Sequence, residues 1–159
     1  MMEMSQGPKK LLCDSSFCHK SQIAVGGVVL ADKPDVIETW TFNENNNIRA
    51  EIRTVIWVLE TFSQVKDVIL LSTDCQTVVK LPERQAKLEG NNYCNRNGDQ
   101  LANADLYRHF FRLFHSRELE LQWVKGHRKK SERTETDRLF AKVDQAVRAQ
   151  LREAIQHKN

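Results

Sequence analysis

Three apolar, strand-like runs open this chain, near residues 9–17, 21–31 and 34–42, and short polar segments separate them. His19-Lys20-Ser21 and Ala31-Asp32-Lys33-Pro34 leave no room for a helix, so the three strands can follow one another as hairpins. After them the pattern changes. Asn47 to Phe62 reads as an amphipathic helix with the stripe Ile52, Val55, Ile56 and Leu59 on one buried face. A strand near 67–73, helices near 75–81 and 101–116, a strand near 118–125 and a helix from about 134 to 156 follow. The last helix keeps the helical period through Phe140, Val143, Val147 and Leu151. An antiparallel start followed by strands reached through helices predicts an α/β fold. Its sheet is mixed and five-stranded, three antiparallel strands then two parallel, with flanking helices. Gly26-Gly27, inside the second strand, lacks a phosphate-cradling pattern and points to close packing or a bulge.

Four carboxylates stand at the boundaries and centres of these elements. Asp14 interrupts Leu11-Leu12-Cys13-Asp14-Ser15-Ser16-Phe17, a run that would otherwise be a buried strand, and such strands avoid Asp. Either the acid has a partner there, or the strand ends at Cys13 and Asp14 opens a turn. Glu51 borders the buried stripe of the first long helix, four residues before Val55, and equally suits the helix dipole. Asp74 ends the apolar run Val68 to Thr73 where a helix begins, which is where open α/β sheets bind ligands and also where an N-cap belongs. Asp137 lies three residues before Phe140 at the start of the last helix, where capping is the ordinary role.

Order and spacing say more than any one acid. Glu51 follows Asp14 by 37 positions, Asp74 follows Glu51 by 23, and His127 precedes Asp137 by 10. Around them stand Asn47-Ile48-Arg49-Ala50-Glu51, Thr73-Asp74-Cys75-Gln76, Asn103-Ala104-Asp105-Leu106-Tyr107 and, most specific, Trp123-Val124-Lys125-Gly126-His127. In this order, from about Lys9 to about Leu151, the chain resembles the type 1 ribonuclease H family. That resemblance implies a ribonuclease H-like fold and an endonuclease that hydrolyses the RNA strand of RNA–DNA hybrids, leaving 5′-phosphate and 3′-hydroxyl ends. It implies two Mg²⁺ ions, the choice between Mg²⁺ and Mn²⁺ being left open by the sequence, held by Asp14, Glu51, Asp74 and Asp137, and proton transfer or product release aided by His127. Asn47 and Gln76 would read 2′-hydroxyls, while Lys125, Arg128, Lys129 and Lys130 would meet the substrate's phosphates.

The chain departs from the family pattern in three places. Ser15 replaces the usual Gly after the first aspartate, Ile48 the usual Asn three before the glutamate, and Arg133 the Asn four before the last aspartate. A non-catalytic module binding RNA–DNA hybrid or duplex RNA with the same fold is the alternative, although such a module has little reason to keep all four acids. A transposase or junction-resolvase core would share the acids but not the Trp-Val-Lys-Gly-His string. The chemistry itself favours cations. Mg²⁺ takes oxygen ligands and keeps much of its water, and carboxylates gathered without a cation repel one another and raise each other's pKa.

The rest of the composition bounds the setting. At 159 residues the chain fits one domain, expected over 9–156 after a flexible segment 1–8. Net charge is +3, but Lys125, Arg128, Lys129, Lys130 and Arg133 cluster around His127 beside the expected site. Leu81 to Ala102 reads as irregular, its Arg84, Lys87 and Arg96 offset by Glu83, Glu89 and Asp99. The four cysteines form no Cys-x-x-Cys pair, and the odd separation of Cys13 and Cys18 puts them on opposite faces of a shared strand. No stretch approaches 18 consecutive apolar residues. The expectation is a cytoplasmic monomer with reduced cysteines and no membrane partner.

Overall fold

The computed structural model describes residues 7–125 and 133–158. Its elements are β1 (Lys9–Cys18), β2 (Ile23–Leu30), β3 (Ile37–Asn43), α1 (Asn47–Thr61), β4 (Ile69–Thr73), α2 (Gln76–Gly90), α3 (Ala104–His115), β5 (Leu119–Trp123) and α4 (Glu135–Lys158). They form one five-stranded sheet in the order β3-β2-β1-β4-β5. The first three strands pair antiparallel, and β4 and β5 join parallel to β1 and to each other. The mixed sheet and its flanking helices are those the sequence predicts.

Alternation along β1 splits the interior in two. Leu11 and Cys13 point into the larger core, with Ile52, Val55 and Leu59 of α1, Val78 and Leu81 of α2 and Phe110 of α3. Leu12 points the other way, into a smaller cluster with Val25, Val29 and the α4 residues Phe140, Val143, Val147 and Leu151. Cys13 belongs to the first cluster and Cys18 packs against the second, so the two thiols do lie on opposite faces. All four cysteines are free.

Gly26 and Gly27 do the close packing expected of them, on opposite faces of β2. A Cβ on Gly26 would lie 2.6 Å from Oγ1 of Thr54 in α1. A Cβ on Gly27 would lie 2.5 Å from Cγ1 of Val147 in α4. Real Cβ atoms do not approach this closely, so the two glycines seat the helices that carry acids on either side of the sheet.

The stretch after Asp74 departs from expectation. The second helix does not stop near residue 81 but runs through Pro82 to Gly90. Pro82 removes one helical hydrogen bond, yet Val78, Leu81 and Leu88 keep a buried face across it, and that burial carries the helix onward. Asn91 to Gln100 is likewise built, as a turn. Tyr93 N–H donates to Leu88 O at 2.8 Å, and Asn95 Oδ1 accepts from Asn97 and Asp99 at 2.9 and 3.0 Å. Among the described residues no helix is long and apolar enough to cross a membrane. Residues 1–6, most of the segment expected to be flexible, lie outside the described residues.

Candidate active site

Sheet register brings Asp14 and Asp74 together. Asp14 is not a turn residue: it sits within β1, paired with Gly27 of β2, and is 9% exposed. The parallel pairing of β1 with β4 runs from Lys9 opposite Ile69 to Leu12 opposite Ser72. Two residues further on, this register sets Asp14 beside Asp74, just past the end of β4. Asp74 and Glu51 line a small cavity with Asp14, Thr54 and Thr73. Glu51 enters it from the first turns of α1, where Thr54 lies against Gly26.

A larger cavity of about 320 Å³ contains the whole set. Asp14, Glu51, Asp74 and Asp137 all line it, and Asn47, Lys125, Arg133 and Arg148 stand at its walls. The sequence-predicted acids therefore converge, although no three Asp, Glu, His or Cys groups among the described residues form a ready cage for an ion. Mg²⁺ does not need one, because water and a substrate's phosphate oxygens supply much of its shell. The donors present are hard carboxylate oxygens, which fit that ion.

Burial and crowding raise the carboxyls of this site. Burial first, and then the neighbouring Asp74 and Asp144 carboxylates, push Asp14 from 3.8 up to about 8, against an opposing hydrogen bond from the Ser15 N–H. Glu51 is also raised, by burial foremost and by Asp74, while a hydrogen bond from Cys75 pulls it back. That bond is 2.9 Å long, from the Cys75 thiol to Glu51 Oε2. Burial and the adjacent Glu51 push the Cys75 thiol up to about 12, so it stays protonated and donates.

The flanking motifs have structural work of their own. Arg49, two residues before Glu51, donates from Nη1 and Nη2 to both carboxylate oxygens of Asp105 at 3.0 and 3.1 Å. It also reaches Ala102 O at 3.0 Å and Glu44 Oε1 at 3.2 Å. The Asn47 to Glu51 segment and the Asn103 to Tyr107 segment are thus clamped together, which fixes where α1 delivers its acid. Ile48, in place of the family's Asn, packs against the larger core. Trp123 is 47% exposed, and its Nε1 donates to Asp74 O at 3.3 Å.

On α4 the acid both lines the cavity and caps the helix. Asp137 lines the cavity, and its Oδ2 accepts from Thr134 N–H at 2.9 Å and Thr134 Oγ1 at 3.1 Å. Asp137 N–H returns a bond to Thr134 Oγ1 at 3.2 Å, a reciprocal cap on the first turn. Arg133, the family's Asn position, lines the cavity as well.

Other expectations divide. Asn47 and Lys125 line the cavity, whereas Gln76, at the exposed start of α2, does not. His127, Arg128, Lys129 and Lys130 lie outside the described residues. Sequence reasoning missed Asp144, which faces Asp14 across the cavity, and its partner Arg148, whose Nε donates to Asp144 Oδ1 at 3.1 Å. The seven-residue step from Asp137 to Asp144, two helical turns on one face, was the available signal. Cys75 was also missed, because its contact with Glu51 spans 24 residues of sequence.

Comparison with known proteins gives one family match and several structural likenesses. The family model described as RNase H matches residues 8–145. No curated protein sequence matches the chain. An RNase H domain of PFV solved in solution is 16% identical, with a TM-score of 0.67, 89% of this chain and 92% of that one being covered. A foamy viral protease-reverse transcriptase in complex with dsDNA is 13% identical with a TM-score of 0.65, over 90% of this chain and 97% of that one. The native protease-reverse transcriptase of prototype foamy virus is 19% identical with a TM-score of 0.67, and the match covers 90% of this chain but 21% of that longer one.

Proposed function

The chain belongs to the RNase H family, and on that premise we propose that it is an endonuclease cutting the RNA strand of RNA–DNA hybrids with divalent metal ions, leaving 5′-phosphate and 3′-hydroxyl ends. The observation that carries this reading is the gathering of Asp14, Glu51, Asp74 and Asp137 around one cavity, where burial and the neighbouring carboxylates raise the Asp14 carboxyl above its ordinary value. Four acids converge at a cost in mutual repulsion that a bound cation relieves. Two Mg²⁺ ions bound there would activate a water and stabilise the departing 3′ oxygen.

The chain's own residues have distinct tasks in this reading. Asp14, which lines the cavity with the other three acids, would hold the cations together with them. Asp74 lies beside it by register, and Glu51, fixed by the Cys75 thiol and by Arg49, holds its carboxylate toward them. Asp137 completes the α4 side. His127 moves a proton or helps product leave. Asn47, at the cavity wall, meets a 2′-hydroxyl, and Gln76, outside the cavity, meets the same strand further along. Lys125, Arg128, Lys129 and Lys130 contact phosphates.

Purified protein incubated with an end-labelled RNA–DNA hybrid, and with matched RNA and DNA duplexes, tests this directly. Cleavage of the hybrid's RNA strand with Mg²⁺ and none with EDTA is expected. Binding without cleavage, whatever the metal, would instead favour a non-catalytic module.

A further inference from the structure

Of the cations lining the cavity, Arg148 is the one held there by a carboxylate of its own helix. Asp137, Ala141, Asp144 and Arg148 follow one another at steps of 4, 3 and 4, so they form one stripe along α4, beside the buried stripe Phe140, Val143 and Val147. Gly27 lets this part of α4 sit directly on β2: a Cβ there would meet Val147 at 2.5 Å and Val143 at 3.1 Å. Asp144, between those two valines, is thereby brought opposite Asp14. Arg148 lies one turn further, roughly 6 Å along the helix axis.

Among the described residues the guanidinium is anchored at one point. Its Nε donates to Asp144 Oδ1 at 3.1 Å, and among the described residues neither terminal nitrogen has a partner. A guanidinium fixed through Nε presents Nη1 and Nη2 in a set plane, which is the arrangement that grips a phosphate with two parallel bonds. The need for such a cation is clear from the charges, because five carboxylates line the cavity a polyanion must approach.

We propose that Arg148, oriented by Asp144, is a substrate-binding residue that grips a phosphate of the nucleic acid on the α4 side of the cavity, next to the bond being cut. This rests on the hybrid-nuclease reading above. Asp144 is a positioning residue, whereas Arg148 touches the substrate. The contact is independent of the bases and adds affinity rather than sequence preference.

Fluorescence anisotropy of a labelled hybrid in EDTA, over a range of salt concentrations, tests it alongside kcat and KM in Mg²⁺. Arg148→Gln should weaken hybrid binding about tenfold, lower the log–log salt slope by roughly 0.9, raise KM and leave kcat close to wild type. Arg148→Lys keeps the charge without the planar fork. It should retain the salt slope and recover part of the affinity, which also separates lost contact from lost folding. Arg152→Gln removes the same charge one turn on, at an exposed position away from the cavity, and should change little. Wild-type affinity and slope in Arg148→Gln would overturn the proposal, as would an equal loss in Arg152→Gln, which would mean a diffuse charge effect. Arg148→Lys binding no better than Arg148→Gln would overturn it too. A wild-type protein that neither binds nor cuts hybrid would overturn the functional reading and this proposal with it, an outcome visible before any variant is made.

Discussion

The two faces of the sheet deliver carboxylates to the same place by different means. On the α1 face Glu51 is fixed several times over: Asn46 caps the helix, Arg49 clamps it to Asp105 and Glu44, Thr54 rests against Gly26, and the Cys75 thiol holds the carboxylate itself. Three helices share that core. On the other face α4 stands alone, seated by Gly27 against Val143 and Val147, and its first turn is held by the Thr134 and Asp137 cap. A ligand fixed to within a fraction of an ångström belongs on the first face, and groups that adjust to a long substrate belong on the second.

The largest effect expected from this contrast is on catalysis. Glu51→Gln should reduce single-turnover cleavage of hybrid by about 10³-fold or more, since a metal's charge stabilisation is worth several kcal/mol. Asp137→Asn, on the more adaptable side, should cost at least about tenfold less. The reverse order would break the comparison.

Next comes stability. Gly26→Ala and Gly27→Ala each force a methyl into a space already filled, and each should cost about 2 kcal/mol in denaturant unfolding. Val147→Ala should partly rescue Gly27→Ala but not Gly26→Ala, for the two glycines meet different helices. A neutral Gly27→Ala would mean that α4 is not seated on β2 as described.

Smaller still is the clamp. Asp105 is well exposed, so Arg49→Gln should cost only about 0.5–1 kcal/mol despite the two-point geometry. Combined with Asp105→Asn it should show coupling of the same size in a double-mutant cycle, and simple additivity would detach the two motifs from each other.

A separate effect is on pH dependence without metal. Asp14 is raised from 3.8 to about 8 in the folded chain and Glu51 is raised too, so between these pH values the folded state binds more protons than the unfolded one. Their contribution is present in full below the unfolded value and is lost as pH rises through about 8, so melting temperature in EDTA should fall across that window. Asp14→Asn should flatten the fall. A melting temperature that climbs with pH in the wild type, and does so equally in Asp14→Asn, would contradict the raised carboxyl.

Most of the architecture was legible because it follows from local periodicity. The hairpin connections, the stripe of α1 and the stripe of α4 each state their own geometry. Pro82 and the polar residues after it concealed the rest of α2, since the burial of Leu88 that sustains it depends on tertiary contacts. In the site, Asp14, Glu51, Asp74 and Asp137 were legible from order and spacing. Asp144 and Cys75 were not, because what brings them in is how closely two helices approach the sheet, and that distance is set at Gly26 and Gly27. Gln76, which the motif marked, lies at the exposed start of α2, outside the cavity.

The central claim, that carboxylates from both faces form one cation site around Asp14, is tested most directly by following melting temperature in wild type and Asp14→Asn, first in EDTA and then with increasing Mg²⁺. The account predicts that Asp14→Asn melts higher than wild type in EDTA, because a buried, repelled carboxyl has been removed, and that the stabilisation Mg²⁺ gives the wild type is blunted in the variant. An unchanged or lower melting temperature in EDTA, with undiminished stabilisation by Mg²⁺, would contradict it.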